Sequence, residues 1–392
     1  MRITAGEAAV QIMVKEGITD AFGIPGAGIN AVYKYLENAP ISHYGMRHEE
    51  ACTHAADAYY RAGHKIALAI CTAGPGATNF VTGLYTANID SIPMLAMVGQ
   101  ANTWQLSMDP FQCVDMVSIA GTVTKKVFRP MKAEEVPEML REAFYLMRAG
   151  KPGPVLIDFP LDVQMAELEF DIAQYEAKEV EQVLPDQELI DQAIDMLASA
   201  KSPVIIMGGG VTLSESEPEL IAFAEKYQIP VITTYMAKGG IPSGHPLNAG
   251  HAGIQVGQPV GNKYMLESDV VLAVGCRFSD RHTGDLKVYR GERRFIHIDI
   301  ESKQIGKVFE PDLGIVSDAA AAICLLFFSL IGFPVSTTHV KTTAIMGVGI
   351  ASDAKTVNIS IIKEMIFAWL ITFPGCCAIG YCVAEIFQKI IC

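Results

Sequence analysis

The run Met46-Arg47-His48-Glu49-Glu50-Ala51-Cys52-Thr53-His54-Ala55-Ala56-Asp57-Ala58-Tyr59-Tyr60 opens a small-residue helix on a pair of carboxylates, just behind the strand-like Ile41 to Tyr44. Ala51, Ala55, Ala56 and Ala58 let such a helix press close to another backbone or a flat ligand, and the mouth between strand and helix is where open α/β sheets bind. Taken alone, His48-Glu49-Glu50 also reads as a solvated first turn whose charge suits the helix N-terminus. The neighbouring motifs tip the balance toward a site. Phe22-Gly23-Ile24-Pro25-Gly26-Ala27-Gly28 lies upstream and Ala69-Ile70-Cys71-Thr72-Ala73-Gly74-Pro75-Gly76-Ala77-Thr78-Asn79 downstream, each a strand running into a glycine turn and then a helix.

Working outward, Ile3 to Ser91 alternates helices such as Ala5 to Glu16 with short apolar strands, and strands continue at Pro93 to Val98 and Pro154 to Phe159. This is the pattern of a parallel sheet covered by helices. A first α/β domain is expected over 1–165 and an acidic linker over 166–187. A second alternation over 188–318 has strands at Pro203 to Met207, Pro230 to Thr234, Asp269 to Val274 and Arg294 to Ile300. Its turn Met207-Gly208-Gly209-Gly210-Val211 would let backbone amides approach a ligand, although a lone glycine triplet as often marks a tight turn.

After Asp318 the composition changes. Ala319 to Val335 carries no charge over about 17 residues and Met365 to Ala384 none over about 20, close to the length that spans a bilayer. A pair of buried core helices is the alternative. The expected fold is therefore α/β, with two consecutive doubly wound parallel-sheet domains and then a short hydrophobic, transmembrane-type helical tail over 319–392.

The 392 residues have room for two or three domains. A formal net charge of -13 argues against nucleic acid as a partner, because phosphate binding needs a cationic surface. The nine cysteines form no Cys-x-x-Cys pair and no signal peptide precedes Met1-Arg2-Ile3, so reduced, cytosol-facing thiols are expected. No Cys/His cluster has metal-ligand spacing.

In their order and spacing, the two glycine turns and Arg47-His48-Glu49 resemble the pyrimidine-binding domain of thiamine-diphosphate-dependent carboligases of the glyoxylate carboligase and acetolactate synthase type. Gly275-Cys276-Arg277-Phe278-Ser279-Asp280-Arg281 and His297-Ile298-Asp299-Ile300-Glu301 extend the resemblance through the central domain to Asp318. It implies a cytoplasmic homo-oligomer, joined through its first domain, that condenses small 2-oxo acids with loss of CO2. Glu49 would be the glutamate that hydrogen-bonds the cofactor pyrimidine, with Gly26, Ala27, Thr72, Pro75 and Asn79 lining its pocket. Gln100 would approach the reacting centre, and Phe111 and Gln112 the substrate side. FAD is a candidate second cofactor, in a structural role, at Gly208, Gly209, Gly210, Arg277, Asp299 and Asp318.

Two markers divide the substrate reading. Glu49 departs from glyoxylate carboligase, which carries a valine there, whereas Leu161 stands where acetolactate synthases usually place a lysine. Glyoxylate and pyruvate both stay open.

Family enzymes hold magnesium and the diphosphate on a third domain with a Gly-Asp-Gly motif, which does not occur in this sequence. Only the pyrimidine half of the cofactor site is expected, with no metal ligands, and the chain is expected to be inactive alone. The tail, through Pro334-Val335-Ser336-Thr337-Thr338-His339-Val340-Lys341 and Phe373-Pro374-Gly375, resembles the end of the inorganic phosphate transporter family. Ser336, Thr337, Thr338 and His339 are its candidate polar residues. The join reads as a gene fusion, a frameshift or an assembly error; a membrane-tethered module completed by another chain and an inorganic phosphate transport component are the alternatives, with the inner or plasma membrane as the tail's candidate location.

Overall fold

A computed structural model describes residues 1–253 and 259–330. The strands of the first half are β1 (Arg2–Thr4), β2 (Asp20–Ile24), β3 (Ser42–Gly45), β4 (Leu68–Cys71), β5 (Leu95–Gln100), β6 (Lys126–Phe128), β7 (Val155–Pro160) and β8 (Glu167–Glu169). Its helices are α1 (Ala5–Lys15), α2 (Asn30–Leu36), α3 (Glu49–Gly63), α4 (Pro75–Asn79), α5 (Val81–Ile89), α6 (Met116–Ala120), α7 (Val136–Arg148) and α8 (Leu161–Met165). Six strands form one all-parallel sheet in the order β3-β2-β4-β5-β7-β6.

The period-2 alternation of the central strands sorts the two faces. Leu68, Ile70, Leu95 and Met97 point to the layer of α1 and α7, while Ala69, Cys71, Ala96 and Val98 point to the layer of α3 and α5. The second set is smaller, so α3 can lie close to the sheet. Gly83 of α5 deepens this contact, since a Cβ there would collide with the Thr53 side chain of α3.

The second half carries β9 (Pro203–Met207), β10 (Val231–Thr233), β11 (Asn248–His251), β12 (Val270–Val274), β13 (Arg294–Asp299) and β14 (Leu313–Val316), all parallel in the order β11-β10-β9-β12-β13-β14. Its helices are α9 (Gln187–Ala198), α10 (Gly209–Leu213), α11 (Glu217–Tyr227), α12 (Pro259–Glu267), α13 (Asp280–Thr283), α14 (Leu286–Arg290) and α15 (Ala319–Leu330). Two α/β domains with parallel sheets are thus present.

Two stretches differ from the sequence expectation. The acidic segment read as a plain linker begins with β8, which pairs antiparallel with β1 through Ile3 and Leu168 and fastens the chain start to the end of the first domain. The uncharged run from Ala319 begins as α15, which packs on α9 and α11 with Ala321, Ala322, Ile323, Leu325 and Leu326 buried. A helix lodged between two others needs apolar residues on most of its faces, as a membrane helix does, and composition alone does not separate the two. Among the described residues no helix is long and apolar enough to cross a membrane. The Met365 to Ala384 run and Ser336, Thr337, Thr338 and His339 lie outside the described residues.

Candidate functional site

In the first sheet the chain moves outward from β2 to β3, then returns to place β4 on the other side of β2. Loops diverge at such a switch point and leave a crevice beyond the strand ends. Gly26 follows β2, Glu49 follows β3 and Thr72 follows β4, so three distant segments converge there. His48 caps α3, its Nδ1 accepting from the Glu50 amide at 3.2 Å, which fixes Glu49 as the first helical residue.

The Glu49 carboxylate is half-buried, and its Oε2 accepts a hydrogen bond from Asn79 Nδ2 at 2.9 Å. Its Oε1 accepts no hydrogen bond among the described residues. Glycines bring the backbone close in around this crevice, the Glu49 hollow. A Cβ on Gly76 would sit 3.3 Å from Oε1, and one on Gly26 would sit 2.6 Å from Thr72 Cβ. Gly28 donates its amide to Thr72 Oγ1 at 3.3 Å. Pro75 is the first residue of α4, in the same turn, and Ala27 is exposed on the loop between Gly26 and Gly28. Chemically, the arrangement offers one free carboxylate oxygen, held in place, to a donor on a flat group lying against backbone.

Gln100, expected to approach the reacting centre, is tied into the protein interior. It is 1% exposed, its Nε2 donates to Val114 O at 2.8 Å and to the Asp158 carboxylate at 3.2 Å, and its Oε1 accepts from Ala101 N at 2.8 Å. Both ends of its amide are engaged inside the protein. Asp158 is fully buried and ion-paired to Arg129 at 2.6 Å, and Arg129 reaches Asp115 at 3.0 Å. Burial pushes the Asp158 carboxyl up to about 6, although Arg129 and Gln100 pull the other way. Sequence reading found neither Asp158 nor Arg129, because an acid inside an apolar strand shows its importance only when its partner, 29 residues away, is seen. Phe111 is 90% exposed, while Gln112 packs against Gly74 so closely that a Cβ on Gly74 would lie 2.8 Å from its own Cβ.

A second crevice forms at the switch point of the second sheet, between β9 and β12. Gly208 and Gly275 interlock there: Gly210 N donates to Gly275 O at 3.0 Å, and Gly275 has φ +59°, with Gly210 Cα 2.6 Å from where its Cβ would stand. The glycine triplet is therefore partly a packing device, and Gly209 and Gly210 face the open space above it. That space is a cavity of about 1490 Å³ between the two domains. Arg277, Asp299 and Asp318 line it, as do Arg61 and Lys151 of the first domain.

Arg277 is paired with Asp90 at 3.5 Å, and Asp90 also holds Arg61 at 3.0 Å. Asp299 accepts from Glu301 N at 2.9 Å, and its burial raises its carboxyl above the usual range. Asp318 Oδ1 accepts from Ala321 N at 3.2 Å at the start of α15, so this residue has a structural task as well as a place on the wall. Burial, then the nearby Arg277, lowers the Lys151 ammonium. Among the described residues no group of three or more His, Cys, Asp or Glu is placed to hold a metal ion.

Residues 3–119 match the N-terminal TPP binding domain of the thiamine pyrophosphate enzymes and residues 190–326 match their central domain. The chain thus carries two domains of that class. Within it, the chain is similar to glyoxylate carboligase of Escherichia coli O157:H7, at 45% identity over 327 residues, 83% of this chain and 55% of that protein. It is also similar to a probable acetolactate synthase large subunit of Methanococcus aeolicus, at 41% over 326 residues, 81% and 54% of the two chains. A third relative is the acetolactate synthase large subunit of Corynebacterium glutamicum, at 38% over 332 residues, 83% and 52%. The chain spans about half the length of these relatives. Residues 298–380 match the phosphate transporter family, overlapping the central-domain match over 298–326, where β14 and α15 complete the second domain.

Proposed function

We propose that this chain binds the pyrimidine half of thiamine diphosphate in the Glu49 hollow and serves a thiamine-dependent carboligation of small 2-oxo acids. The observation that carries the reading is the Glu49 carboxylate, engaged by Asn79 through one oxygen and open at the other in a glycine-lined crevice. When bound, thiamine diphosphate supplies the carbon nucleophile that joins two 2-oxo acids with loss of CO2. Glu49 Oε1 would accept a hydrogen bond from a pyrimidine ring nitrogen and hold the proton there. Gly26, Ala27, Thr72 and Pro75 would face the ring, and Phe111 and Gln112 the substrate side. Gln100 would act indirectly, by holding Val114 and the loop before it.

The interdomain cavity suits an FAD-sized dinucleotide, since it exceeds the roughly 300–1,000 Å³ of common ligand pockets. Gly209, Gly210, Arg277, Asp299 and Asp318 are its proposed contacts, with Lys151 and Arg61 facing them. Trp104, Met108 and Phe111, each more than 60% exposed, favour a second copy of the chain against the first domain. Cys52, Cys71 and Cys276 are buried free thiols among the described residues, in keeping with a reducing cytoplasm.

The test is calorimetric titration of thiamine diphosphate with magnesium into the full chain and into Glu49→Gln. Saturable binding that weakens at least tenfold in the variant is expected. Equal binding by both would remove the assignment of Glu49.

A further inference from the structure

Helix α8 leaves the end of central strand β7 directly, so its position is set by the core of the first domain. Two of its residues reach opposite ways. The Asp162 carboxylate accepts from Thr103 N at 2.9 and 3.0 Å and from Thr103 Oγ1 at 2.6 Å. Thr103 begins the segment that carries Phe111 and Gln112, whose far end is held by Gln100 at Val114 O. Gln164 is fully buried, and its Nε2 donates to Gly28 O at 2.8 Å and to Phe159 O at 2.7 Å.

The Gly28 peptide is consequently pinned on both sides, its N–H on Thr72 Oγ1 and its C=O on Gln164. Gly99 of β5 lies against it so closely that a Cβ there would collide with the Gly28 carbonyl. The amide orientation of Gln164 is forced, because a flipped amide would turn its oxygen on two carbonyls. Among the described residues its Oε1 is buried without a partner, a desolvation cost that this orientation carries.

We infer that Asp162 and Gln164 are positioning residues that hold the two loops beside the Glu49 hollow, the Gly26–Gly28 wall and the Thr103–Val114 segment, in fixed register on one short helix. The inference rests on the hollow being the thiamine-binding site only for its purpose; the tethers themselves are read without ligand. Two donors on one nitrogen are needed at 164, and an acceptor for both an amide and a hydroxyl at 162.

The experiment is amide hydrogen exchange by mass spectrometry on the full chain, comparing Gln164→Met, Gln164→Glu and Asp162→Ala with the parent. In Gln164→Met the amides of Gly28, Ile29 and Asn30 should exchange at least tenfold faster while β4 and β5 keep parental rates. In Asp162→Ala the same should hold for Thr103 to Gln105. Gln164→Glu should be protected only in part at low pH, where a protonated carboxyl supplies one donor in place of two, and lose that protection as pH rises, a dependence of the protection absent from the parent. Parental rates at these amides, a uniform loss across the first domain, or no pH dependence in Gln164→Glu would each overturn the inference. Thiamine diphosphate titrated separately into the parent tests the site reading, and its failure would leave the exchange result standing.

Discussion

Asn79, the last residue of α4, and Glu49, the first of α3, stand 30 positions apart in sequence and meet at 2.9 Å, amide to carboxylate. The bond leaves the carboxylate one orientation and one free oxygen. Replacing Asn79 by Ala should let the carboxylate turn toward solvent. Thiamine diphosphate binding should weaken about tenfold, in line with the ~1.5–3 kcal/mol of a hydrogen bond to a charged group less what water restores. Titration calorimetry on Asn79→Ala checks it, with circular dichroism to confirm the fold.

Gly275 combines a left-handed backbone with a neighbour, Gly210 Cα, at 2.6 Å from the missing Cβ. Gly275→Ala meets both a conformational and a steric cost, and about 2–4 kcal/mol of stability should be lost. Urea unfolding followed in the second domain reads the loss directly.

His282 and His297 are packed among Phe278, Tyr289 and Phe295, and burial pushes both imidazoles down to about 4. His282 meets Cys276 Sγ at 3.7 Å and Tyr289 Oη at 3.4 Å; His297 Nε2 donates to Cys276 O at 2.9 Å, with Asp299 4.0 Å away. The unfolded chain binds protons at these histidines from pH 6.5 downward, while the folded chain resists until about 4, so their contribution is present above 6.5 and lost as pH falls to 4. Asp158, raised to about 6, works the other way, holding its proton in the folded state and favouring that state as pH falls through its range. His297→Gln keeps an amide donor for Cys276 O, and its urea midpoint should fall less than the parent's between pH 6.5 and 4.

Leu326 of α15 is fully buried and Phe328 is 38% exposed. If α15 is a core helix, Leu326→Ala should cost about 2–5 kcal/mol through the cavity it leaves. Phe328→Ser should stay within about 0.5 kcal/mol. Thermal unfolding of both variants separates a packed helix from a bystander.

The strand-turn-helix units around Gly26, Glu49 and Thr72 were legible because strand runs, glycine turns and small-residue helices leave local signatures. The order of strands that brings the three together follows from short, right-handed connections. Gln164 and Asp158 were not legible, since each gains its meaning from a partner far along the chain, 136 residues away for Gly28 and 29 for Arg129. The pairing of Arg277 with Asp90 spans 187 residues and escaped for the same reason. β1 and β8, at three residues each, are too short for periodicity to register. In α15, Ala319-Ala320-Ala321-Ala322 and the apolar residues after it name burial without naming what does the burying.

Helix α3 has Glu49 at its first position and His64 as its left-handed cap, 3.2 Å from Glu215 of the second domain. Fifteen helical residues make a rod of about 22 Å. The rod works as a gauge, setting both the spacing and the angular phase between the carboxylate in one crevice and the edge of the other. One residue inserted near Asp57 would turn Glu49 by about 100° relative to His64 and lengthen the rod by ~1.5 Å. The number of residues between Glu49 and His64 is thus itself a structural quantity, separate from what those residues pack against.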